Sequence, residues 1–122
     1  MGLRILLADD EEDIIEVVQD RLEACGFVVT TASTGLEALK RLAVERFDGV
    51  FLDVKMPEMT GIEVLEEIRK SDKTLPVIIL TSSTSRDVAI ASLAKGANAF
   101  VLKPFEWGEL KAEIEKVFNV VL

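Results

Sequence analysis

Short apolar runs alternate with longer amphipathic stretches along the 122 residues of this chain. The runs Leu3 to Ala8, Phe27 to Thr31, Gly49 to Leu52, Pro76 to Leu80 and Ala99 to Leu102 predict five strands. They are nearly continuous in apolar character, the pattern of strands covered on both faces in a parallel sheet flanked by helices. The stretches between them carry helical period. Ile14, Val17, Val18, Leu22 and Cys25 form one stripe, with Gly26 placed to end a helix over residues 11–25. Thr34-x-x-Glu37 and Thr60-x-x-Glu63 read as capping boxes opening a second and a third helix. A fourth runs from near Arg86 through Ile90 and Leu93 to Gly96, and a fifth carries Leu110, Ile114, Val117 and Phe118.

Strict βα alternation with short connections, no internal repeat and no low-complexity tract predicts one α/β domain over residues 1–122 with a doubly wound parallel sheet. In such sheets the functional crevice lies beyond the carboxyl ends of the strands, where strand order reverses. The first predicted strand ends in Asp9-Asp10, the third in Asp53, the fourth in Thr81 and the fifth in Lys103-Pro104. Three carboxylates, an ammonium and a hydroxyl thus share one edge. Their mutual repulsion calls for an offsetting charge, and Mg²⁺ suits oxygen donors of this kind. Softer metals do not fit, since the chain has no His and its lone Cys25 lies elsewhere.

Each residue alone also has an ordinary explanation. Asp9, Asp10, Glu11, Glu12 and Asp13 are acids of the sort favoured at the positive end of a helix. Asp53 before Pro57 suits a turn, Thr81 opens a polar loop, and Lys103 suits a surface. Placement at four strand ends together is what argues for a shared site.

Charge and composition narrow the partners. A formal net charge of -8 disfavours nucleic acid and anionic membrane, and favours divalent cations and basic protein surfaces. A single cysteine forbids an internal disulfide and fits a reducing, cytoplasmic setting. The opening apolar run is too short for a signal-peptide core or a membrane span, and Leu6 stands where a myristoylation motif wants Ser or Thr. The absence of histidine leaves any phosphohistidine to another protein.

Asp9-Asp10, Asp53-x-x-Met56-Pro57 with Gly61, Thr81-Ser82, and Gly96-Ala97 leading to Phe100-x-x-Lys103-Pro104-Phe105 together resemble the response-regulator receiver family of two-component signalling, over essentially the whole length. The resemblance implies a flavodoxin-like fold of five parallel strands in the order 2-1-3-4-5 with five helices. It further implies that Asp53 is the nucleophile that takes a phosphoryl group from a histidine kinase, a phosphotransfer protein or a small phosphodonor. Mg²⁺ would be held by Asp10 and Asp53, by Asp9 through water, and by the backbone carbonyl of Lys55. Lys103 would grip a phosphoryl oxygen. Thr81 and Phe100 would form a relay to the surface of helix four, strand five and helix five, which serves a downstream output domain or protein. Lys55 and Ser83 occupy positions that tune dephosphorylation, and the Lys103-Pro104 peptide is expected to be cis.

Some residues depart from the commoner family pattern. Phe100 stands where many members carry Tyr, removing a hydroxyl from the relay. Asn98, Ala99 and Glu113 replace the acidic pair and Arg associated with one symmetric dimer. Trp107 opens the fifth helix and is either a partner anchor or an isolated surface aromatic. Rival classes are weaker. An aspartate-nucleophile phosphatase of the haloacid dehalogenase type wants Asp where Lys55 stands, and a flavodoxin-like cofactor binder would not place Asp9 to Asp13 against phosphate. A receiver-like scaffold that binds partners without phosphorylation remains as the alternative.

Overall fold

The computed structural model describes residues 2–82 and 86–122. Five strands and five helices alternate: β1 (Arg4–Ala8), α1 (Glu12–Ala24), β2 (Val28–Ala32), α2 (Gly35–Val44), β3 (Gly49–Asp53), α3 (Gly61–Ser71), β4 (Val77–Thr81), α4 (Arg86–Ala94), β5 (Ala99–Leu102) and α5 (Trp107–Phe118). The strands pair in parallel in the order β2-β1-β3-β4-β5. This is the doubly wound, flavodoxin-like arrangement expected from the alternation and the resemblance, with the order reversing between β1 and β3.

Side chains that alternate along the strands separate into two cores. Leu6, Ala8, Val50, Leu52, Val77 and Ile79 pack with Ala38, Val64, Leu65 and Ile68 from α2 and α3. Ile5, Leu7, Phe51, Ile78 and Leu80 turn the other way, onto Val18 and Leu22 of α1 and Leu110 and Ile114 of α5. With both faces covered, β3 and β4 are buried throughout, which is why their sequences read as unbroken apolar runs. Fully burying a side chain of Leu or Ile size contributes about 1.5–3 kcal/mol, so these strands contribute much of the packing beneath the rim.

Local signals behave in instructive ways. At α3 the capping box is complete, with Thr60 accepting from the Glu63 amide and Glu63 accepting from the Thr60 amide. At α2 it is shifted by a residue: Thr34 accepts from the Glu37 amide, but the Glu37 carboxylate takes the Ser33 amide instead. On α1, Val18 and Leu22 are buried while Val17 is 60% exposed, so the buried stripe is narrower than the apolar pattern. On α4 the contrast is larger, since Ile90 and Leu93 are exposed despite their helical spacing. The end of α4 is fastened to α3, where Arg69 donates to the Gly96 carbonyl and the Asn98 side chain and Lys95 pairs with Glu66.

Among the described residues no helix is long and apolar enough to cross a membrane.

Candidate functional site

The register of the ladders brings the predicted residues together. Ala8 pairs with Leu52, which puts Asp9 level with Asp53 across neighbouring strands; Thr81 pairs with Leu102, which puts Lys103 one step beyond. The Lys103 amide donates to the Thr81 carbonyl at 2.7 Å, extending the ladder to the lysine itself. The Lys103-Pro104 peptide is cis, as the resemblance implied.

Asp9 and Asp53 are buried, as are Thr81 and Lys103, whereas Asp10 and Lys55 are exposed. The Lys103 ammonium donates to Asp9 Oδ2 at 2.6 Å and to Glu11 Oε1 at 3.1 Å, and stands 3.6 Å from Asp53 Oδ2. Asp9 also accepts, through Oδ1, from the Glu11 backbone amide at 2.9 Å. One carboxylate oxygen from each of Asp9, Asp10, Glu11 and Asp53 lies within 4.8 Å of the others. Among the described residues the cluster gathers four carboxyl groups beside the Lys103 ammonium, so it carries excess negative charge at neutral pH.

Titration behaviour follows. Burial, then the Asp9 carboxylate, push the Asp53 carboxyl from 3.8 up to about 7, with Asp10 adding to the rise and the Lys103 ammonium and the Lys55 amide opposing it. Burial alone would lower the Lys103 ammonium, but the hydrogen bond and charge of Asp9, with Glu11 and Asp53, hold it above its ordinary value. Lys103 therefore stays charged. A carboxyl group at a strand end that resists ionisation is a group waiting for positive charge.

Among the described residues, Asp9, Asp10, Glu11 and Asp53 form a set of oxygen donors able to hold a hard divalent cation. Burial first, and then the crowding of Asp9 and Asp10, raise Asp53, and this fits such an ion, because a dication would favour the ionised carboxylate. The loop after Asp53 packs tightly against it. Gly61 packs its α-carbon directly on the Asp53 carbonyl, where a Cβ would collide, and its amide donates to Val54. Glu58 in the same loop adopts φ 70.

Of the other expected residues, Phe100 is half-buried against the core that includes Met56 and Val64. Trp107 is half-buried, with the Arg21 guanidinium 5.9 Å over its ring. Ser83 lies outside the described residues. Glu11, read from the sequence only as one of several acids opening a helix, proves to be part of the cluster. The available signal was its position directly after Asp10 at the strand end.

Comparison with known proteins agrees with this geometry. The model for the response regulator receiver domain matches residues 5–115. The alkaline phosphatase synthesis transcriptional regulatory protein PhoP of Bacillus subtilis is 37% identical over 119 residues, covering 98% of this chain and 50% of that protein. The transcriptional regulatory protein PrrA of Mycobacterium tuberculosis is 36% identical over 116 residues, covering 95% of this chain and 50% of that protein. The chain thus spans about half the length of these curated relatives. Among solved structures, the response regulator TrrA of Thermotoga maritima, in complex with Mg(2+)-BeF, is 38% identical with a TM-score of 0.86, covering 96% of this chain and 99% of that one. The chemotaxis response regulator CheY4 of Vibrio cholerae is 34% identical with a TM-score of 0.89, again covering 96% and 99%.

Proposed function

The chain belongs to the response regulator receiver domain family, and on that premise we propose that it is a signalling switch that accepts a phosphoryl group on Asp53. The observation that carries this reading is the buried Asp53 carboxylate at the sheet rim, 3.6 Å from the Lys103 ammonium and inside a cluster of oxygen donors. Asp53 Oδ attacks phosphorus in line, the bond from phosphorus to the donor's imidazole nitrogen breaks, and an acyl phosphate forms on the chain. Asp10 and Asp53, with Asp9 and the Lys55 carbonyl, are the groups that would hold Mg²⁺. When bound, that ion neutralises the carboxylates and the charge on the transferring phosphoryl oxygens.

The remaining roles fall to the protein's own side chains. Lys103 supplies a fixed ammonium to a phosphoryl oxygen, and Thr81, buried at the end of β4, supplies a hydroxyl to another. Phe100 follows Thr81 inward, coupling the rim to the surface of α4, β5 and α5, where Ile90, Leu93 and Leu102 are exposed. Such a change is a shift between two arrangements biased by the new charge-assisted bonds. Lys55 and Ser83 tune how long the phosphoryl group persists. The donor is a histidine kinase or phosphotransfer protein, the recipient an output domain or protein, and the setting cytoplasmic. The net charge of -8 argues against direct nucleic-acid or membrane binding by this domain.

Incubation with phosphoramidate or acetyl phosphate and Mg²⁺ should add one phosphoryl mass, read by intact mass spectrometry, and Asp53→Asn should abolish it. Equal labelling of Asp53→Asn would refute the acceptor assignment. No labelling of the unsubstituted chain would leave the scaffold alternative.

A further inference from the structure

We propose that Glu11 is a positioning residue that acts as a latch on Lys103, holding its ammonium toward Asp9 and away from the acceptor until a phosphoryl group arrives. This rests on the phosphoacceptor reading and deepens it. The ammonium has three N–H donors. Two of them are engaged, by Asp9 Oδ2 at 2.6 Å and Glu11 Oε1 at 3.1 Å, and the distance to Asp53 Oδ2 is the longest of the three at 3.6 Å. Asp53, the group Lys103 is meant to serve, therefore holds it least closely in the unmodified chain.

The two engaged carboxylates differ in kind. Asp9 is fully buried, is held on its other oxygen by the Glu11 amide, and belongs to the set proposed to hold the cation. The Glu11 side chain is 53% exposed and sits on the residue before α1. Its backbone braces Asp9 while its side chain grips Lys103, so one residue spans both partners of the buried pair. A phosphoryl group on Asp53 brings a charge of about -1.5 to -2 and several strong acceptor oxygens. Those oxygens compete for the same ammonium, and the exposed Glu11 contact is the one that yields without uncovering a buried charge. Glu11 thereby biases the site toward its unmodified arrangement by the modest amount expected of a partly solvated ion pair.

Beryllofluoride binding at saturating Mg²⁺, followed by ¹⁹F or amide NMR, tests this. Glu11→Gln should tighten beryllofluoride binding about threefold, the scale of a partly exposed ion pair. In a Lys103→Met background the same Glu11→Gln change should have a clearly smaller effect. Glu11→Asp keeps the charge but withdraws the oxygen, and should tighten binding as Glu11→Gln does. Unchanged or weaker binding in Glu11→Gln, wild-type behaviour of Glu11→Asp, or an equal effect with Lys103 absent would overturn the latch. A tenfold loss of Mg²⁺ affinity would also overturn it, making Glu11 a metal ligand. A second readout needs no ion: in EDTA, urea unfolding of the two single variants and the double variant should show a coupling of about threefold in the unfolding constant, and strict additivity overturns the contact. If the unsubstituted chain fails to bind beryllofluoride at all, the phosphoacceptor reading falls, while the EDTA cycle still decides whether Glu11 holds Lys103.

Discussion

Replacing Asp53 with Asn should stabilise the metal-free fold, and increasingly so as pH rises. The Asp53 carboxyl is raised from 3.8 to about 7 by burial and by its acidic neighbours. Between those values the folded chain keeps a proton that the unfolded chain has lost. Stability therefore falls as pH increases through that window, the reverse of the usual paired carboxylate. At about 1.4 kcal/mol per pH unit the accumulated cost reaches about 4 kcal/mol once pH exceeds about 7. That is a large share of the ~5–15 kcal/mol typical of a whole domain. Asn keeps the shape and never ionises. Urea unfolding in EDTA should show Asp53→Asn more stable by about 4 kcal/mol near pH ~8, shrinking to about 1–2 kcal/mol near pH ~5. Adding Mg²⁺ should narrow the difference, since an ion that binds only the folded state stabilises it by mass action. A difference independent of pH in EDTA, or an Asn variant less stable at the higher pH, would refute the electrostatic account of the rim.

Substitutions at two further positions probe the loop that follows Asp53. Gly61→Ala drives a Cβ into the Asp53 carbonyl, and should cost about 1–3 kcal/mol in urea unfolding while slowing phosphoramidate labelling; a variant of unchanged stability and rate would show that the close approach is not required. Glu58 sits at φ 70, so Glu58→Gly should hold stability or raise it by up to about 1 kcal/mol, whereas Glu58→Val should lower it by about 1–3 kcal/mol, both checked by the urea midpoint at constant slope.

The layout of the fold was legible because covered strands leave unbroken apolar runs and helices leave periodic ones. Boundaries moved by a residue where the pattern was soft, as at β2, which ends at Ala32, and at β4, which takes in Thr81. The rim residues Asp9, Asp10, Asp53 and Lys103 were reachable by asking what stands at the carboxyl ends of the strands. Which acid turns inward was not. Asp9 through Asp13 are five consecutive acids, and only backbone direction separates the buried Asp9 from the exposed Asp10 or assigns Glu11 to Lys103. Periodicity likewise marked Ile90 and Leu93 as an apolar stripe, yet it carries no information on whether a helix lays that stripe against the sheet, and here both stay exposed. Thr34-x-x-Glu37 had the spacing of a reciprocal cap, but the carboxylate found the Ser33 amide, a choice between adjacent donors that spacing does not specify.

The pairing of Ala8 with Leu52 and of Thr81 with Leu102 means that the alignment of the reactive groups is inherited from the strands beneath them. A slip of one position would carry a group about 3.3 Å along the strand and turn it to the opposite side, so the chemistry tolerates no more error than the packing does. Residues such as Phe51 and Ile78, which lie in the buried core beneath the rim, are therefore its surveyors: a poor fit deep in the sheet reaches Asp53 as misalignment rather than as lost contact.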